Sequence, residues 1–150
     1  MATTTVAFSK VLIKKGDGAS PEAYTAPCLI NGSKAIQITA SYSEDVIPDC
    51  DNPDDPAQIL RQADSISVTI NGSGKLHQDD AKTYVDLALG GVSANWSIEV
   101  GTAGATGAFK IRAPFVVTDF SINTNRPTTA ECDISLASSA LTSASVTALT

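Results

Sequence analysis

Ser65-Ile66-Ser67-Val68-Thr69-Ile70-Asn71-Gly72-Ser73-Gly74 alternates polar and apolar side chains as far as Ile70 and then runs into two glycines. Ile66, Val68 and Ile70 point one way and Ser65, Ser67 and Thr69 the other, which is the period of a strand with one covered face. Asn71 and Gly72 to Gly74 read as the turn that ends it. Five residues later the period changes. Within Asp79–Leu89, Ala81, Tyr84, Val85 and Ala88 fall at i, i+3, i+4 and i+7, one face of a helix. Asp79 and Asp80 sit in its first turn, where the helix dipole favours acids. Gly90-Gly91 supplies the stop. So short a helix does not hold by propensity alone. It needs Tyr84 and Val85 packed, at roughly 1.5–3 kcal/mol for each large side chain.

Outward from this strand and helix, the pattern on both sides is β. On the C-terminal side, Val92–Val100 places Ala94, Trp96, Ile98 and Val100 on one face. Gly101–Gly107 is a Gly/Ala/Thr loop. Phe109, Ile111, Ala113 and Phe115 then oppose Lys110 and Arg112, and Val116–Ile122 continues past a bend. Asn123–Pro127 is a turn. Ala130, Cys132, Ile134 and Leu136 alternate in the last clear strand. On the N-terminal side, Phe8–Lys14 is a strand ending in the turn Lys15–Gly18. Tyr24–Ile30, broken by Pro27, reads as an edge strand. Asn31-Gly32 is a hairpin signal that leads into a strand over Lys34–Ser41. Residues 42–64 show no clean period and hold Pro48, Pro53 and Pro56, so they read as a long loop, of the kind that is functional or mobile.

These elements predict a mainly β fold: a β-sandwich or small barrel of about seven to eight strands, with one short flanking helix (about 79–89) and a long loop (about 42–64). The 150 residues make a single domain, 1–150, large enough for a core without staples. It carries an N-terminal arm, 1–7, and a tail, 138–150, both expected to be flexible. The segment Ala137–Thr150 is either a final strand or one that orders against a partner.

Net charge is −6, which argues against a protein that works by neutralising phosphates. No run of 18 apolar residues occurs, so no membrane span is expected. The first ten residues lack the basic and apolar regions of a secretory signal. Cys28, Cys50 and Cys132 are therefore expected as free thiols in a reducing cytoplasm. The triplets beginning at Asn31, Asn71 and Asn95 then carry no glycan, and Asn31 and Asn71 read as turn residues. The acids are uneven. Glu44, Asp45, Asp49, Asp51, Asp54 and Asp55 lie in one stretch without Lys or Arg and equal the whole net charge.

Catalytic constellations are scarce, and no enzyme, cofactor or metal is expected. His77 is the only histidine, and no nucleophile motif surrounds it. Zinc would need three or four His or Cys ligands at suitable spacing. Gly72-Ser73-Gly74-Lys75 fails as a P-loop, because Leu76 replaces the Ser/Thr and Thr69 the first Gly. The glycines of 101–107 are a connection rather than a dinucleotide fingerprint, since no βαβ unit follows. Counted from Asp49, an EF-hand would need Gly and Glu where Asp54 and Leu60 stand. The acidic stretch leaves three readings: a calcium loop, a solvated loop, or a loop that meets another subunit.

The order of elements carries more than any motif. A strand pair is followed by a strand running into Ser41-Tyr42-Ser43-Glu44-Asp45 and on through Ala63. Next come a strand ending in Gly-Ser-Gly, one short helix, a strand, a glycine turn and Phe109-Lys110-Ile111-Arg112-Ala113-Pro114-Phe115. Arg126-Pro127 and an alternating strand close the chain. Over residues 8–140 this order resembles the major tail tube proteins of long-tailed bacteriophages and gene transfer agents. Cys50 and the prolines of the loop depart from that pattern. The resemblance implies a non-enzymatic subunit that forms hexameric rings, stacked as a hollow tube in the virion tail and assembled in the host cytoplasm. Implied partners are further copies of itself and the tape-measure, tail-tip and tail-terminator proteins, with DNA passing through the lumen unbound and no membrane. It implies that the loop packs on neighbouring subunits or rings, with Tyr42, Glu44, Asp45, Asp49, Asp51, Asp54, Asp55 and Arg61 as candidate contacts. A β-sandwich module for carbohydrate or calcium is the alternative reading.

Overall fold

In a computed structural model, residues 5–27, 30–126 and 129–150 are described. The element order is β1 (Val11–Gly16), β2 (Tyr24–Thr25), β3 (Ser33–Ile47), β4 (Gln58–Lys75), α1 (Gln78–Gly90), β5 (Ala94–Val100), β6 (Phe109–Asn123), β7 (Glu131–Ser138) and β8 (Val146–Ala148). All pairings are antiparallel and belong to one sheet, ordered β2-β1-β5-β6-β7-β4-β3, with β8 added on β6. The expected mainly β, sandwich-like architecture with one helix forms. The barrel form of that expectation does not, because β2 and β3 leave the sheet open at both ends.

β6 is the spine. Its first half, Phe109–Phe115, pairs with β5, and its second half, Phe115–Asn123, pairs with β7. Two half-sheets, β1-β5-β6 and β6-β7-β4-β3, therefore share one long strand. Their inner faces meet in a single core: Ile13, Trp96, Ile98 and Ile111 from one half, Val68, Ile70, Ile134 and Leu136 from the other. The approach of the halves also shows at the ends, where Lys34 Nζ of β3 donates to the Val11 carbonyl of β1 at 2.7 Å. Thr118 is an extra residue between Val117 and Asp119 in the β6–β7 ladder, a bulge of the kind that bends a strand. It moves the inward positions from the odd residues up to Val117 to Phe120 beyond it. That is the physical form of the bend expected after Phe115.

The helix covers the core with the expected face. Tyr84 is buried, with its ring 6.1 Å from that of Trp96 and 6.2 Å from that of Phe120. Gly91 ends the helix in the left-handed conformation, φ 62°, where a side chain would be strained.

Several boundaries differ from the sequence reading. Phe8–Lys10 is a 3-10 turn, and the first strand begins at Val11. Only Tyr24–Thr25 of the second candidate is strand, and it pairs with β1; Cys28 and Leu29 lie outside the described residues. Asn31-Gly32 therefore joins no hairpin between β2 and β3. Asn71–Gly74 is not a turn but the end of β4, paired with β7. A glycine is needed at 72 because a Cβ there would lie 2.7 Å from Cγ2 of the buried Ile30. Pro127 and Met1–Thr4 also lie outside the described residues. Of the two outcomes open for the tail, a strand forms: Ser138 closes β7, and Val146–Ala148 pairs with Phe109–Ile111.

The largest correction concerns residues 42–64. They are mostly strand. β3 runs to Ile47 and β4 begins at Gln58, so only residues 48–57 connect them. The ladder slips once, from Ser41↔Ser65 to Tyr42↔Ala63, leaving Asp64 as an extra residue on β4. That bulge breaks the period-2 pattern of the sequence without breaking the strand.

Candidate functional site: an exposed hairpin face

The β3–β4 hairpin is longer than the body of the protein needs. Its base is held on the far side by β7, which pairs with β4 only from Thr69 to Lys75. Beyond that the hairpin stands as two strands. Ten residues, Ile38–Ile47, span about 33 Å at the usual rise of a strand.

The alternation of the base continues outward. Paired positions on the core-side face run Ile36↔Ile70, Ile38↔Val68, Ala40↔Ile66, Tyr42↔Ala63, Glu44↔Arg61 and Val46↔Ile59. The opposite face carries Gln37↔Thr69, Thr39↔Ser67, Ser41↔Ser65, Ser43↔Gln62, Asp45↔Leu60 and Ile47↔Gln58. The bulge at Asp64 restores the phase, so Ala63, Arg61 and Ile59 share a face with Ile66 and Val68. The hairpin thus has one largely apolar and one largely polar side. In the single subunit the apolar side is uncovered: Ile38 is 61%, Val46 66% and Ile59 51% exposed. An isolated two-stranded hairpin is at best marginally stable, and an exposed apolar patch of this kind marks an interaction surface.

The sequence-predicted residues divide over this element. Tyr42 lies on the apolar face and is exposed. Glu44 and Arg61 face each other across the ladder, Arg61 Nε donating to Glu44 Oε1 at 2.7 Å. Both side chains are more than half exposed, so this pair contributes about 0–1 kcal/mol in the free subunit. Asp45 is on the polar face, opposite Leu60. Asp49 builds the turn: its Oδ1 accepts from the backbone N–H of Asp51 at 2.9 Å and of Asn52 at 3.3 Å. Asp51, Asp54 and Asp55 are exposed at the tip, beside exposed Cys50. The sequence reading missed Ile38, Val46, Ile59 and Ile66 as site residues. For Ile38 and Val46 the signal was the even-numbered run Ile36, Ile38, Ala40, Tyr42, Val46 on β3, interrupted only by Glu44.

His77 precedes α1 and makes no side-chain cap bond, while its carbonyl accepts from the N–H groups of Asp80 and Ala81. Among the described residues, no three His, Cys, Asp or Glu side chains converge as a metal site, and no helix is long and apolar enough to cross a membrane.

An open-ended β-sheet with a projecting, half-apolar hairpin has the exposed apolar surface that marks an interaction module. Residues 5–143 match the family model of the phage tail tube protein, and the chain belongs to that family. Membership makes it a phage-type tail tube protein. Its fold resembles the tail of an empty gene transfer agent particle refined with C6 symmetry, with TM-score 0.70 and 14% identity over 93% of this chain and 100% of that one. It resembles the SPP1 tail tube with TM-score 0.55 and 10% identity over 89% of this chain and 76% of that one. It also resembles a chain of the anti-feeding prophage baseplate, with TM-score 0.58 and 10% identity over 99% of each chain. No curated protein sequence matches it.

Proposed function

We propose that this chain is a non-enzymatic subunit that forms six-membered rings stacked into the hollow tube of a phage-type tail. The carrying observation is the apolar face, interrupted only by the Glu44–Arg61 pair, that runs from the buried Ile70 and Val68 out to the exposed Val46 and Ile59. Such a face is stable in water when a neighbour covers it, and a head-to-tail contact repeated around an axis closes a ring. Six-fold closure is supported by the C6 symmetry of the gene transfer agent tail that this fold resembles. Further copies of the chain are the main partners; tape-measure, tail-tip and tail-terminator proteins bound the tube. DNA passes without specific binding, since the chain's net charge of −6 repels phosphates.

Ser43 and Gln62 are directly opposed, so residues 44–61 can be replaced by Asn-Gly, a two-residue connection suited to a hairpin. This variant should fold with the same melting behaviour as the full chain. By electron microscopy it should form no tubes under conditions where the full chain does. Tubes of normal width from the shortened chain would refute the role of the hairpin.

A further inference from the structure

We propose that the hairpin of one copy docks on the outer face of β1, β5 and β6 of a second copy, its acidic turn seated on Lys110 and Arg112. This rests on the self-assembly reading above and names the receiving surface.

Two cross-strand rows build that surface: Leu12, Glu99 and Lys110, then Lys14, Ser97 and Arg112. They lie opposite the buried Ile13, Ile98 and Ile111, on the side away from the core; there Arg112 is exposed, Lys110 half-buried and Ser97 buried beneath them. Lys14 Nζ is 2.8 Å from Glu99 Oε2, which uses the one carboxylate in the two rows. Arg112 stacks its guanidinium 4.5 Å from the centre of the Tyr24 ring and reaches Ser97 Oγ at 3.4 Å. Glu22, beside Tyr24, is already occupied by the Gly18 N–H, the Tyr24 hydroxyl and Asn95 Nδ2. Among the described residues, Lys110 and Arg112 have no carboxylate within ion-pair distance.

The charge of the hairpin is the complement. Residues 42–64 hold seven acids and one base, Arg61, which equals the net −6 of the whole chain and leaves the rest neutral. The turn is exposed in its own subunit, so the cations it meets belong to another copy. Donor and receiver are different parts of one chain. Each copy therefore gives one contact and receives one, the arrangement that closes rings or runs along a stack.

The test uses charge reversal in the full chain, with Asp49 left intact because it builds the turn. Asp51→Lys/Asp54→Lys/Asp55→Lys should lower the sedimentable, tube-forming fraction at least tenfold at low salt. Lys110→Glu/Arg112→Glu should do the same, with native circular dichroism in both. Carrying both sets in one chain should restore tubes. Normal tubes from Lys110→Glu/Arg112→Glu, or no restoration in the combined chain, would overturn the docking while leaving the tube reading intact. Should the unaltered chain form no tubes, the tube reading is what fails. The docking is then read separately by treating concentrated Lys110→Cys with a short bis-maleimide. A ladder of dimers and larger species joining Cys50 to position 110, absent from the unaltered chain, supports the proposal; no new species overturns it.

Discussion

The two ends of the β3–β4 hairpin are built alike and live differently. Both have antiparallel pairing, an apolar face and a polar face. At the base, Val68 and Ile70 are 1% and 0% exposed; at the far end, Ile59 and Val46 are 51% and 66% exposed. Alternation thus selects a face, while the elements stacked on that face decide whether it stabilises the subunit. The base has the subunit's own core over it. The far end has a cover only in an assembly.

This contrast can be broken by matched truncation. Ile70→Ala should destabilise the free subunit by about 2–5 kcal/mol, the range for deleting a buried aliphatic side chain. Ile59→Ala should shift it by roughly 0.5 kcal/mol or less, as exposed substitutions do, yet weaken assembly. Chemical denaturation of both variants checks this, and equal losses would erase the distinction. Next in size is Gly72→Ala, within the base. The added methyl meets Ile30 at 2.7 Å, so an overpacking loss of about 1–3 kcal/mol is expected in the same measurement. The smallest effect lies away from the hairpin. Backbone N–H groups of Ala19 and Ala23 donate to Asp17 and hold its carboxyl below the ordinary range. Its contribution is present above the unfolded pKa and is lost as pH falls through the lower, folded one. Asp17→Asn should therefore slightly lower stability at neutral pH, where the carboxylate's contribution is present, and flatten the acid side of the profile, below about pH 4.

Much of the body was legible because its strands keep a strict period against a covered face. Trp96 and Ile98, Ile111 to Phe115, and Cys132 to Leu136 all bury the side their alternation marks. The helix was legible from the spacing of Ala81, Tyr84, Val85 and Ala88. Residues 42–64 were not, for three physical reasons. Asp64 inserts one residue into the ladder and reverses the phase on β4. Glu44 stands at an apolar position because its partner Arg61 is across the strand, not along it. Leu60 and Ile47 stand on the polar face, which blurs the contrast between sides. Asn71–Gly74 misled differently: residues that usually make turns serve there as low-profile strand positions beneath Ile30. The candidate acids were found through their charge, whereas the apolar residues beside them require the pairing to be recognised as a site.

The acidic turn bears on how the protein survives before it is used. A chain that displays a long edge strand and bare isoleucines is at risk of zipping onto a like chain in the wrong arrangement. Two hairpins approaching tip to tip bring two clusters of Asp51, Asp54 and Asp55 together, and like charges within a screening length of about 10 Å repel. On the docking proposed above, the same residues also act as gatekeepers, disfavouring hairpin-to-hairpin pairing and leaving the head-to-tail route open.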